Sequence, residues 1–296
     1  MSCIKIKVPA TTANIGPGFD CLGMALDIYN EFEVEEIENG LEFYGCDERY
    51  SSDENLFYKS MLFAFERLKY KSKGYRIKFM AGIPLSRGLG SSASLIVGGL
   101  IAGQVIAGKS YDEEKTLSWG TEIEGHPDNI APAIFGGFCL SGMEEEHVFH
   151  SCIPVSADFS FHVLIPSFEL STVEARMVLP QKVDFKDAVF NISRSLLLVE
   201  SFRKGDFDSL KIALKDKLHQ RYRGKLIDRY EELECRILKD KNHCIFISGA
   251  GPSIMLVGKK DMEENEFIDT LKEYMGYKWE LKKVNIAVSG LKLQIK

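Results

Sequence analysis

Near the start of the chain Ile4, Ile6 and Val8 alternate with Lys5 and Lys7, the period of a half-buried β-strand. "EFEVEEIE", Glu31 to Glu38, alternates in the same way. "DENLFYKSMLFAFERLK", Asp53 to Lys69, changes to helical spacing, with Asp53 as the expected N-cap. "RIKFM" (Arg76 to Met80) reads as a strand, and after a glycine- and serine-rich loop a helix is expected from about Ser92. Ala93 to Ala107 is the most apolar segment. Gly98, Gly99, Gly103 and Gln104 interrupt it, which suits a buried helix whose small residues let a neighbour pack closely. Another helix begins at the candidate N-cap Asp112 and ends at Gly125, and "GFCLS" follows as a short strand.

Beyond residue 150 the pattern restarts. "FHVLIP" (Phe161 to Pro166) predicts a strand, and "DAVFNISRSLLLVESFRKG" a helix from Asp187 closed by Lys204 and Gly205. "DSLKIALKD" and "LIDRYEELECRILKD" read as helices. "CIFIS", "SIMLVG" and "YKWELKKVNIAV" read as strands around the turn "GAGPS". No internal repeat, low-complexity segment or linker divides the chain. The expectation is an α+β protein of two lobes, residues 1–155 and 156–296.

Composition narrows the function. The 296 residues are 45% hydrophobic, ample for a core, and carry 37 basic against 43 acidic side chains, a net charge of −6. That balance argues against sequence-independent nucleic-acid binding, which relies on basic surface. It leaves room for a local anion site made of backbone N–H groups. The seven cysteines (Cys3, Cys21, Cys46, Cys139, Cys152, Cys235 and Cys244) are scattered and include no C-x-x-C, which points away from a disulfide framework or structural zinc and towards a reducing compartment. No apolar stretch reaches the roughly 18 residues of a membrane span, and "MSCIKIKVPA" has no signal-peptide core, so a cytoplasmic protein without a membrane partner is expected.

The loop "PLSRGLGSSAS", Pro84 to Ser94, carries more than a turn needs. It is not a G-x-x-x-x-G-K-[ST] loop, because no lysine follows the second glycine. Gly88, Gly90 and Ala93 match a dinucleotide fingerprint formally, but Ala81 to Arg87 separate them from the strand, which speaks against a NAD-binding oxidoreductase. Two readings stay open: an ordinary loop with a serine N-cap, or an anion loop. In the second, Gly88 and Gly90 turn N–H groups inward, the helix aims its positive end at the same point, and Ser91 or Ser92 bonds phosphate or a magnesium ion.

Two companions weigh on the choice. "PATTANIGPGFDCLGMALD" (Pro9 to Asp27) is a polar glycine-rich turn after a strand, in which Asn14 offers donor and acceptor and Asp20 a carboxylate. "SGAGPSIMLVG" (Ser248 to Gly258) centres Gly249, Gly251 and Pro252 between two apolar strands. In this order the three segments resemble the motifs of the GHMP kinase superfamily, named for galactose, homoserine, mevalonate and phosphomevalonate kinases, and the resemblance covers the whole chain. Within it the sequence is similar to the homoserine kinase family, through "ANIGPGFDCLGMAL", "EGHPDNIAPAIFGG", "STVEARMVLP" (Ser171 to Pro180) and "LHQRYR" (Leu218 to Arg223).

The resemblance implies transfer of the ATP γ-phosphate, with Mg2+, to the side-chain hydroxyl of L-homoserine, giving O-phospho-L-homoserine on the route to threonine. It implies that Pro84, Leu85, Ser86, Arg87, Gly88, Leu89, Gly90, Ser91, Ser92, Ala93 and Ser94 hold the triphosphate. It gives the magnesium to Glu124 (Glu122 being the alternative) with Ser91 or Ser92, Ser92 being taken as the ligand. Asn14, Asp20, His126, Asn129, Arg176 and Arg223 are the implied contacts of the amino-acid substrate, with the two guanidinium forks suited to its carboxylate. Asn129 falls where mevalonate kinases carry a catalytic aspartate. An amide cannot accept a proton as a carboxylate does, so catalysis is expected from positioning and electrostatics, with Asp20 as the alternative base. The implied fold has a left-handed βαβ unit in an N-terminal ATP-binding lobe, a ferredoxin-like C-terminal lobe and the site between them. A homodimer is also implied, although no interface can be read.

The nearest rival is another small-molecule kinase of the superfamily, acting on mevalonate, shikimate or a diphosphocytidyl polyol. The paired arginines and "HPDN" speak against it. A non-catalytic ATP-binding regulator should have lost the phosphate loop or Glu124, and both are present.

Overall fold

A computed structural model describes residues 3–260 and 264–295. The N-terminal half runs β1 (Ile4–Ala13), β2 (Leu22–Ile37), β3 (Leu41–Tyr44), α1 (Leu56–Leu68), β4 (Gly74–Ala81), α2 (Ser91–Ile106), α3 (Glu113–Glu124), α4 (Ile130–Phe135), β5 (Phe138–Glu144) and β6 (His147–Ile153). The C-terminal half continues with β7 (Phe159–Pro166), α5 (Thr172–Met177), α6 (Phe185–Lys204), α7 (Phe207–Ala213), α8 (Gln220–Arg223), α9 (Tyr230–Lys239), β8 (His243–Ile247), β9 (Ile254–Lys259), α10 (Glu264–Met275), β10 (Trp279–Val284) and β11 (Lys292–Ile295).

The alternation of β1 has a simple outcome. Ile4, Ile6 and Val8 turn into the core, while Lys5 and Lys7 meet Glu33 and Glu31 directly across the ladder with β2. The 16-residue β2 is longer than its alternating part announces. Asn30–Ile37 pair with β4, and Leu22–Met24 pair with β5. β3 and β4, joined through α1, form the single parallel pairing among the described strands.

α1 is capped by Asn55 and not by the expected Asp53, because the Asn55 side chain accepts from the backbone N–H groups of Phe57 and Tyr58. α2 is buried as expected, and its glycines explain how. A Cβ on Gly99 would lie 2.1 Å from the carbonyl oxygen of Phe57 in α1.

The second sheet has the order β10-β7-β9-β8, all antiparallel, which is 4-1-3-2 when its strands are counted along the chain. With helices after its first and third strands, this is the ferredoxin-like arrangement. β11 then returns to the first sheet and pairs with β1.

β7 shows how the halves join. Phe159, Phe161, Val163 and Ile165 face a cluster shared with Ala10, Leu22, Met24 and Phe138 of the first half, whereas Leu164 faces the helices α9 and α10. Among the described residues no helix is long and apolar enough to cross a membrane.

Candidate active site

The loop between β4 and α2 ends at Gly90, the N-cap of α2, which is left-handed at φ +67° and has no side-chain hydrogen bond to the first turn. The reading of this stretch as a plain serine-capped helix start therefore fails. The first amides of a 16-residue helix are left uncapped by any side chain, and they lie where the helix dipole favours an anion. Glycine is required here, since a Cβ on Gly90 would stand 1.9 Å from the Thr11 Oγ1.

The three glycine-rich segments meet at this point. The Thr11 N–H donates to the Leu89 carbonyl, the Gly249 N–H to the Ala13 carbonyl, and the Ser248 hydroxyl to the Gly88 carbonyl at 2.6 Å. A Cβ on Gly88, also left-handed, would strike the Ser248 carbonyl oxygen at 2.3 Å. Arg87 reaches across from the loop to β7. Its Nε and Nη2 donate to the carbonyls of Pro166 and Ser167 at the end of β7, tying the two halves together.

A cavity of about 330 Å³ opens above the loop. Its lining includes Asn14, Leu85, Ser86, Arg87, Gly88, Leu89, Gly90, Ser91, Ser92, Glu124, His126, Asn129, Arg176 and Arg223 of the expected residues. Pro84, Asp20, Ala93 and Ser94 stay outside it. Ala93 and Ser94 face inward on α2, where the Ser94 hydroxyl donates to the Ser91 carbonyl and accepts from Asn30. The cavity also has an apolar part that the sequence did not single out, including Phe79, Ile83, Leu56 and Leu95, with Tyr50 and Asn55 beside it.

At the start of α2 the Ser92 hydroxyl donates to Glu124 Oε2 at 2.7 Å. Burial pushes the Glu124 carboxyl above the usual carboxylate range, against the Ser92 hydrogen bond that favours its charge. The alternative, Glu122, pairs instead with Arg67 on the surface. Among the described residues the buried Ser91 hydroxyl has no hydrogen-bond partner. One carboxylate and two hydroxyls at a helix N-terminus form a hard-oxygen donor set that fits magnesium.

The second half contributes two arginines. Arg176 on α5 makes a two-pronged pair with Asp20, at 2.9 and 3.1 Å. Arg223 on α8 is buried, its Nη1 donates to the Gly249 carbonyl, and burial draws its pKa down to about 10. Both guanidinium groups lie against the ring of Phe19, at 5.5 and 5.1 Å, a contact that nothing in the local sequence announces. His219, one turn before Arg223, is wholly buried. Its Nε2 donates to the Gly16 carbonyl, and its Nδ1 lies 3.5 Å from Arg223 Nη1. Burial and the charge of Arg223 keep this ring neutral, outweighing the pull of Asp216.

Between these groups runs a polar chain. The Thr11 hydroxyl donates to Asn129 Oδ1 at 2.7 Å, and His126 Nδ1 lies 2.7 Å from Asp128 Oδ1. Burial opposes the charged form of His126, but the hydrogen bond and charge of Asp128 outweigh it and raise the ring's pKa. Asp20, His126 and Asp128 bring ligand atoms within 4.8 Å of one another, close enough to hold an ion. Asp20 already engages Arg176 with both oxygens and His126 engages Asp128, so a charge-paired network explains the grouping.

The chain is a small-molecule kinase of the GHMP class, and the uncapped start of α2 and the Ser92–Glu124 pair fall within the segment that matches that family. Residues 55–137 match the family described as "GHMP kinases N terminal domain". The chain is 45% identical to a homoserine kinase of Clostridium botulinum (strain Okra / Type B1) over 97% of both chains, and 42% identical to one of Clostridium beijerinckii over the same share. The fold is similar to the crystal structure of homoserine kinase from Cytophaga hutchinsonii, with a TM-score of 0.86 and 26% identity, covering 99% of this chain and 97% of that one. The chain belongs to the homoserine kinase family.

Proposed function

We propose that the chain transfers the γ-phosphoryl group of ATP to the side-chain hydroxyl of L-homoserine, giving O-phospho-L-homoserine and ADP. One observation carries the reading: the Ser92–Glu124 pair at the start of α2 lines the same cavity as Asn129, Arg176 and Arg223. A phosphate end and an amino-acid end thus share one enclosure.

The amides and dipole of α2 take the phosphates, and Ser91 and Ser92 offer hydroxyls to them or to the ion. Glu124 and Ser92 would hold Mg2+, which when bound supplies positive charge to the phosphate oxygens. The apolar part around Phe79, Ile83 and Leu95 suits the flat face of the purine. Arg223, and Arg176 steered by Asp20, receive the substrate carboxylate. The carboxylate of Asp20 can share itself with the substrate ammonium. Asn129, held by Thr11, orients the accepting hydroxyl.

No dedicated base is required in this account. The Asn129 amide cannot take a proton, and Asp20 is paired to a guanidinium. Phosphoryl transfer depends mainly on alignment and charge neutralisation, and those the site can supply. In the same reading residues 1–155 and 156–296 are the two lobes, with β11 lent back to the first sheet, and the protein works in the cytoplasm, where its cysteines stay reduced.

Phosphorus NMR tests the proposal. With ATP, magnesium and L-homoserine a phosphate-monoester resonance should grow in step with ADP. ADP formation without a new monoester would refute the acceptor.

A further inference from the structure

β5 and β6 form an antiparallel hairpin in which Cys139 and Cys152 stand directly opposite each other. Their Sγ atoms are 3.6 Å apart. Residues in that register have Cα atoms about 4.5 or 5.5 Å apart, according to whether the pair exchanges hydrogen bonds. Both separations fall within the roughly 4.4–6.8 Å that a disulfide spans. The backbone is already placed for a bond, and the sulfurs need to close by only about 1.5 Å to make it.

The two thiols differ in what they can meet. Cys139 is buried in the core of the first half, and its Sγ donates to the Gly136 carbonyl at 3.2 Å. Burial, and after it the neighbouring Cys152, push the Cys139 pKa up. Cys152 is exposed. β5 is held on its other side by β2, through Leu22–Met24, whereas β6 pairs with β5 alone among the described strands. The freedom to close the gap therefore lies on the outer side, in the Cys152 side chain and its edge strand. Packing accounts for Cys139, a small residue in a core, but not for a second sulfur in water beside it.

We propose that Cys139 and Cys152 form a redox site for small-molecule disulfides, in which Cys152 is attacked first and Cys139 resolves the product into a bridge across the hairpin. The Cys152 thiolate attacks one sulfur of the small disulfide. A mixed disulfide forms on Cys152, the S–S bond of the reagent breaks, and one thiolate leaves with the electron pair. Cys139 then gives up its proton and attacks Cys152 Sγ. The Cys139–Cys152 bond forms, the mixed disulfide breaks, and a second thiolate leaves. The two cysteine protons end on the two leaving thiolates, so the protein loses two electrons and the reagent becomes two thiols. The order follows from exposure. A buried thiol is a poor first nucleophile, but it faces any mixed disulfide made on its neighbour across the strand pair. At a reducing poise the pair rests as the dithiol.

The test reads bonds and not turnover, so its failure is distinct from failure of the catalytic reading. The full chain is incubated with excess glutathione disulfide, remaining thiols are alkylated, and the unreduced protein is cut after glutamate and weighed by mass spectrometry. Glu144, Glu145 and Glu146 lie between the two cysteines, so cleavage there separates them unless they are bonded. In the parent protein the joined peptides, two hydrogens lighter than the free pair, should be the main product at these positions, and dithiothreitol should return both thiols. Cys139→Ala should stop at the intermediate, with one glutathione held on Cys152. Cys152→Ser should leave Cys139 unmodified over the same time. Circular dichroism checks that both variants fold, and the parent's joined peptides are read without either. A parent whose two cysteines stay as thiols, or whose Cys152 keeps its glutathione, would overturn the proposal. So would a folded Cys139→Ala protein whose Cys152 escapes modification, or a folded Cys152→Ser protein modified at Cys139 as fast as the parent.

Discussion

The Ser92 hydroxyl lies 2.7 Å from Glu124 Oε2, across 32 residues of sequence, and joins the start of α2 to the end of α3. That places a half-buried carboxyl at the positive end of a helix, beside a second hydroxyl, Ser91, that has no partner among the described residues. Burial of Glu124 raises its pKa, an arrangement that costs the fold whatever charge the carboxyl keeps. It follows that function and stability should part company at this residue.

Glu124→Gln is expected to lower kcat/KM by on the order of 10²–10³ while raising the melting temperature at pH 7. The sign follows from burial, which raises the folded-state pKa of Glu124 above its unfolded value. The resulting stability is complete below the unfolded pKa and is lost as pH rises through the folded one. A neutral glutamine loses nothing on that path. Thermal scans should therefore show the variant ahead at pH 7 and level with the parent at pH 4.

The arginines should separate binding from turnover. Arg176→Ala frees Asp20 and removes one fork from the cavity, so the KM for the amino acid should rise on the order of 100-fold, with little change in the KM for ATP. Arg223→Ala should do the same and also lower the melting temperature, because the buried guanidinium supports the Gly249 carbonyl and packs on Phe19. Initial rates against both substrates, with melting curves, check the pair.

Asp20 and Asn129 distinguish positioning from base catalysis. Asp20→Asn keeps the shape and loses the charge that steers Arg176, so KM should rise while kcat stays within roughly threefold. Were Asp20 the base, kcat would instead fall on the order of 10² or more. Asn129→Ala should lower kcat with a modest effect on KM, since it leaves the Thr11 hydroxyl without its acceptor and the substrate hydroxyl without its guide.

Gly90→Ala tests the loop itself. The residue is left-handed, and a Cβ there would sit 1.9 Å from Thr11 Oγ1, the oxygen that positions Asn129. Backbone strain and overlap together should cost about 2–4 kcal/mol in urea unfolding, and activity should fall further than that loss of folded protein explains.

The elements with a strong period could be read before the structure. β1 showed itself through Ile4, Ile6 and Val8, and α6 through its length and its closing glycine. The four-residue strands β3 and β11 could not, because too few positions alternate and their residues are only half buried or exposed. The first cap was misplaced because Asp53 and Asn55 are both capping types, and only the fold shows which oxygen meets the helix amides. Within the site, the glycines and Ser92 are visible in the three motifs, whereas Glu124 comes only from the family resemblance, with Glu122 as its alternative. Phe19, Thr11 and His219 were not, because each matters through a partner on a distant element. The resemblance assigns Arg87, Ala93 and Ser94 to the phosphates with the rest of the loop, and of the three only Arg87 lines the cavity. Helical rotation turns Ala93 and Ser94 inward, and Arg87 reaches across to β7.

The phosphate end and the amino-acid end of this cavity should act on one substrate pair. Coupled measurement of ADP release, with magnesium and ATP fixed and L-homoserine, mevalonate, shikimate, D-homoserine and L-serine compared, tests it most directly. The kcat/KM for L-homoserine should exceed that of every other acceptor by at least tenfold, and Arg223→Ala should erase the preference. A higher kcat/KM for mevalonate or shikimate, or an L-homoserine preference untouched by Arg223→Ala, would contradict it.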